Sequence, residues 1–136
     1  MDEYTIHEVR QWLLKADHDL RSARCLMSGD DEPLLDTAVY HCQQAAEKAL
    51  KAYLTAHNVV FPKIHLLSPL LNLCGDIDET FLQLSDAAEL LTPLATEFRY
   101  PGDIMEPDAA DAEEAYTAAQ SVVLFICLKL PGITIS

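Results

Sequence analysis

Apolar residues recur in steps of three and four along nearly the whole chain. Ile6, Val9, Leu13, Ala16, Leu20, Ala23 and Met27 make one such face and predict a first helix from about Ile6 to Met27. Thr5 and Glu8 have capping-box spacing at its start. Ser28-Gly29-Asp30-Asp31 supplies the stop and the loop. A second helix is expected from about Pro33 to His57, with Pro33 at a tolerated first position. Asn58 to Ile64 forms a connection. A short helix follows from about His65 to Cys74, ended by Gly75. Ile77, Phe81, Leu84, Ala88, Leu91, Ala95 and Phe98 predict a fourth helix starting near Asp76 or Asp78, which Pro93 should kink or split after Thr92. Arg99 to Pro107 reads as a loop with a turn at Pro101-Gly102.

The last helix is expected from about Pro107 to Leu130. Its main face is Ala109, Ala112, Tyr116, Ala119, Val123, Ile126 and Leu130. Ala115, Ala118, Val122 and Phe125 make a second apolar face. A helix apolar on two sides is central in its bundle or covered by another subunit. The second face is therefore the expected homodimer interface. No segment alternates with a period of two. The pattern predicts an all-α, up-and-down helical bundle of four long helices plus one short one, as a single domain over residues 1–136.

The second helix carries more than a core stripe. Leu35, Ala38, Cys42, Ala45 and Ala49 share one apolar line, whereas Tyr40, Gln44, Glu47 and Lys51 share a polar one. An ordered polar row beside a core stripe suits a helix that lines a cleft. The plainer alternative is that Glu47 and Lys51 form an ordinary surface pair one helical turn apart.

Composition narrows the function. Half of the residues are apolar, which argues against disorder. The formal charge of -13 argues against a general nucleic-acid coat and against docking on anionic membranes. The longest apolar run, Val122 to Leu128, is too short to span a bilayer. Cys25, Cys42, Cys74 and Cys127 are widely spaced in apolar helical contexts, so buried free thiols and a reducing compartment are expected. Asp2 and Glu3 stand where a signal peptide would be basic. A soluble, cytoplasmic protein without membrane association is the expectation.

Candidate chemistry is sparse. The five histidines lack ligand spacing, and Asp17-His18-Asp19 reads as a solvated helix face, so no metal is expected. No phosphate-cradling glycine loop or acyl-transfer nucleophile motif occurs, and no cofactor is implied. Arg99-Tyr100-Pro101-Gly102-Asp103 places a fixed cation and an aromatic ring beside a rigid turn. Arg binds phosphate bidentately and Tyr stacks on bases. Alternatively, Arg99 pairs with neighbouring carboxylates and caps the fourth helix. His65 supplies a donor or an acid/base group at a helix start.

Trp12-x3-Ala16-x2-Asp19-Leu20-x2-Ala23 sits on the first helix. The run Tyr40-His-Cys-Gln-Gln-Ala-Ala-Glu-Lys-Ala-Leu-Lys-Ala-Tyr-Leu54 sits on the second. His65-Leu66-x3-Pro69-Leu70-Leu71 and then Arg99-Tyr100-Pro101 follow. Together these parts resemble a HEPN domain (higher eukaryotes and prokaryotes nucleotide-binding) over nearly the whole chain. The resemblance implies a dimerising bundle linked to nucleotides or short RNA. It also implies a minimal nucleotidyltransferase as partner, in a two-protein, toxin–antitoxin-like system. Nuclease members carry Arg, four to six residues, then His. Here Arg99 is followed by Tyr, Pro, Gly, Asp, Ile, Met, Glu and Pro. Metal-free RNA cleavage needs an acid/base group beside the charged stabiliser, so nuclease activity does not carry over. The expected ligand-binding set is Arg99, Tyr100, Asp103, His65, Tyr40, Gln44, Glu47 and Lys51, with no catalytic residue. The alternatives are a ribonuclease toxin with a displaced site, using His65 with Arg99, and a purely structural dimerisation domain.

Overall fold

The computed structural model describes residues 1–29, 32–98, 101 and 106–133. Three long helices dominate: α1 (Glu3–Met27), α2 (Leu35–Ala56) and α5 (Ala109–Lys129). Between α2 and α5 lie α3 (Leu67–Ile77) and α4 (Ser85–Leu91). No strand occurs among the described residues. The fold is an all-α helical bundle, as the period predicts.

The boundaries differ from the sequence expectation where caps decide them. Asp2, not Thr5, caps α1: its carboxylate accepts from the Thr5 backbone N–H at 2.7 Å. Asp108 and Asp111 form a reciprocal capping box that starts α5. The short helix begins at Leu67, not His65, and runs through Gly75 to Ile77. A Cβ at Gly75 would come within 3.2 Å of Leu82 Cδ2, so this glycine permits a close approach instead of ending the helix. The expected fourth helix changes type along its length. A 3-10 turn (Glu79–Leu84) capped by Asp78 leads into α4, and a second 3-10 turn (Thr92–Ala95) begins where Pro93 breaks the ladder.

Three groups of contacts fix the directions. Asp19 of α1 meets His41 and Lys48 of α2, and Lys51 reaches Trp12, so α1 and α2 are antiparallel. Arg24 donates to Glu113 at 2.9 Å and stacks 4.0 Å over the Tyr116 ring, joining the end of α1 to the start of α5. Tyr53 and Phe125 both pack on Phe81, at 4.4 and 5.1 Å between ring centroids. The chain therefore rises in α1, descends in α2, rises through residues 79–98 and descends in α5. The core runs along α2, where Cys42, Ala45, Ala46 and Ala49 are fully buried and let its neighbours approach closely.

Much of the second face of α5, the expected homodimer interface, is covered within the chain itself. Ala115 and Val122 are buried in the chain's own core, Phe125 packs edge-on against Phe81, and Ala118 is half-buried. The large apolar side chains that α5 leaves exposed are Leu124 and Leu128.

Candidate functional site

Three of the four residues in the polar row of α2 are internal. Gln44, Glu47 and Lys51 are all buried, and Gln43 beside them is fully buried. What covers them is the return segment between α2 and α3. Helix α2 ends at Ala56 with His57 as its C-cap, and Asn58 takes a left-handed backbone (φ 56°) that turns the chain back. Phe61 then packs edge-on against Trp12, and His65 folds over Glu47.

Glu47 is the hub of this layer. Its Oε1 lies 3.0 Å from His65 Nδ1 and its Oε2 accepts from Lys51 Nζ at 3.1 Å. Gln43 Nε2 donates to the His65 backbone carbonyl at 2.9 Å, and Gln44 donates to Gln43 Oε1 at 2.7 Å. The Lys51 ammonium also sits 5.6 Å from the Trp12 ring and 5.7 Å from the Phe61 ring. Every buried polar side-chain atom among the described residues has a partner. Gln44, Glu47 and Lys51, with Gln43, thus form a closed clamp that staples the return segment to α2, and these residues do not line an open cleft.

Two positions of the expected binding set face outward. The His65 side chain is 73% exposed. As a carboxylate, Glu47 only accepts, so the proton of this contact sits on Nδ1 and the ring presents Nε2 to solvent. Tyr40, with Asp36, Thr37 and Phe98, lines a cleft of about 180 Å³ at the start of α2. Tyr40 and Glu47 are seven residues apart, roughly 10 Å along the helix. Arg99, Tyr100 and Asp103 lie outside the described residues. Phe98, the residue before Arg99, forms one wall of the Tyr40 cleft.

A family model described as HEPN domain matches residues 9–130. The chain belongs to the HEPN family. It is similar to the crystal structure of TT1696 from Thermus thermophilus, with 33% identity, a TM-score of 0.69, and 89% of this chain and 97% of that chain covered. No curated protein matches the sequence.

Within this HEPN bundle a second polar hub lies on α1. Asp19 is buried, with Lys48 Nζ at 2.6 Å and His41 Nδ1 at 2.8 Å on its two oxygens. The solvated-face reading of Asp17-His18-Asp19 thus fails at Asp19, whereas Asp17 meets the exposed Arg21. Asp19 follows the fully buried Ala16 by three residues and precedes the fully buried Ala23 by four. That spacing is the signal in the sequence. Two carboxylates, Asp19 and Glu47, hold α1, α2 and the return segment together.

The thiols divide by burial. Cys42 and Cys74 are fully buried, and burial pushes both up to about 12. Cys127 is half-buried, and Cys25 is exposed, contrary to the expectation for all four. No group of three or more His, Cys, Asp or Glu is placed to hold a metal ion among the described residues. No described helix is long and apolar enough to cross a membrane.

Proposed function

We propose that this HEPN chain is a binding module for a nucleotide or the end of a short RNA, working as a homodimer beside a partner protein. A nucleotidyltransferase in a two-protein, toxin–antitoxin-like pair is the partner that the family resemblance implies. The observation that carries the reading is the division of the polar row. Gln44, Glu47 and Lys51 are spent on the fold, whereas Tyr40 opens onto a cleft whose wall, Phe98, leads directly into Arg99 and Tyr100. At about 180 Å³ the cleft takes a single ring and is smaller than usual small-molecule sites. A base would stack on Tyr40, with Arg99 forking onto a phosphate. The charge of -13 favours a short ligand over a long polyanion. Leu124 and Leu128 are the large exposed apolar side chains of α5 available to a homodimer.

Fluorescence titration with labelled mononucleotides and a labelled short RNA tests this. Tyr40→Ala and Arg99→Ala should each weaken binding at least ten-fold without a large change in Tm. Binding that survives both substitutions, or no binding by the wild type, would contradict the reading.

One observation favours the ribonuclease alternative. A buried carboxylate holding Nδ1 of an exposed histidine is also how an acid/base ring is oriented, and Glu47 and His65 have that geometry. Cleavage of RNA that disappears in His65→Ala would support it.

A further inference from the structure

We propose that the groove between α4 and α5 docks a basic amphipathic helix of a partner protein. This goes beyond the reading above, which gives the partner no surface, and its failure would leave ligand binding at Tyr40 untouched.

The groove has a volume of about 750 Å³ between the two helices. Its floor is Ala87, Leu90, Thr117 and Ala118, and Leu90 is 36% exposed. Asp86 and Glu89 stand on the α4 wall, and Glu113 and Glu114 on the α5 wall. The depression continues past Leu94 and Phe98, where Glu97 and Asp111 line it. Among the described residues, no lysine or arginine lines either part. Arg24 pairs with Glu113 and Asp111 belongs to a capping box. Asp86, Glu89, Glu97 and Glu114 have no cationic partner among the described residues.

Charge complementarity chooses the occupant. An apolar strip with carboxylates on both sides matches a helix carrying Leu at i, i+3, i+4 and i+7 with Lys or Arg on its flanks. Small floor residues leave room for such side chains. Residues 86–97 span roughly 17 Å, about three turns of a docked helix. A nucleic acid would meet carboxylates on both walls. So would a second copy offering the same face. The sequence shows the same bias: residues 64–136 contain twelve Asp and Glu but only two basic residues, Arg99 and Lys129.

The test uses the full chain and three synthetic peptides: an amphipathic Leu/Lys helix, the same helix with Glu for Lys, and a Lys peptide of equal charge without the Leu stripe. The first should bind with a salt-dependent Kd and shift the amide resonances of Ala87, Leu90, Thr117 and Ala118. Glu89→Lys and Glu114→Lys, both exposed positions, should each weaken it at least ten-fold with unchanged circular dichroism. Leu90→Lys should do the same. The proposal is overturned if either control peptide binds as tightly, if the shifts map elsewhere, or if the variants leave Kd unchanged. It is also overturned if sedimentation shows a wild-type dimer that Leu90→Lys dissociates, because a second copy would then occupy the groove.

Discussion

His65 Nδ1 lies 3.0 Å from Glu47 Oε1, joining an exposed ring on the return segment to a carboxylate buried in α2. Lys51 holds the other oxygen of Glu47, and its own side chain is only 10% exposed. The two ends of this chain of contacts differ in what they contribute. Removing Glu47 strands a buried ammonium, whereas removing His65 exposes one side of a carboxylate that keeps Lys51 and Gln43. Glu47→Ala should therefore cost about 3–5 kcal/mol, the range for breaking a buried pair. His65→Ala should cost about 1 kcal/mol or less. Urea denaturation of both variants checks the ranking. The double variant Glu47→Leu/Lys51→Met should recover most of the loss, because no buried charge is left unpaired.

Phe125→Asp should destabilise the bundle and not merely dissociate a dimer. Its ring packs on Phe81, and the Lys129 ammonium lies 5.3 Å from it. A carboxylate there would meet a fully buried phenyl ring, at a cost of about 2–4 kcal/mol. A thermal melt that shows wild-type stability would place Phe125 outside the core.

How much of this is legible in the sequence depends on what covers each face. The three-and-four spacing locates α1, α2 and α5 because the core is apolar along their full lengths. The same spacing cannot separate α4 from the 3-10 turns around it, since i and i+3 share a face in both. Periodicity also places Tyr40, Gln44, Glu47 and Lys51 on one line, but not the cover over three of them. That cover is a non-helical segment with no period to read, held by Asn58, Phe61 and His65. The second face of α5 is legible as apolar, and its burial by residues 79–98 is not. The segment whose spacing predicts a fourth helix supplies Phe81, the ring that covers it.

Part of the acid sensitivity should be traceable to one pair. The Lys129 ammonium, at 2.8 Å, and then Thr80 hold the Asp78 carboxyl down at about 2. An unfolded aspartate titrates near 3.9. The folded value is the lower one, so this contribution is fully present above about pH 4 and is lost as pH falls towards 2. Lys129→Met should narrow the stability gap between pH 5 and pH 2. Parallel pH–stability curves for the two proteins would refute the assignment.

Thiol chemistry should separate the four cysteines. Cys25 is exposed and should react promptly with a thiol-selective reagent, with the half-buried Cys127 slower. Cys42 and Cys74, pushed up to about 12 by burial, should react only when the protein opens. Four equally fast thiols in native protein would contradict the packing along α2.

On the proposed function, this HEPN chain binds its ligand without cutting it. The most direct test incubates an end-labelled short RNA of mixed sequence, without metal, with wild type, His65→Ala and Arg99→Ala. Binding and RNA integrity are read from the same samples. Intact RNA is expected in all three, with retention by wild type lost in Arg99→Ala. Cleavage by wild type that disappears in both variants would contradict it and make Glu47 and His65 the orienting and acid/base groups of a ribonuclease.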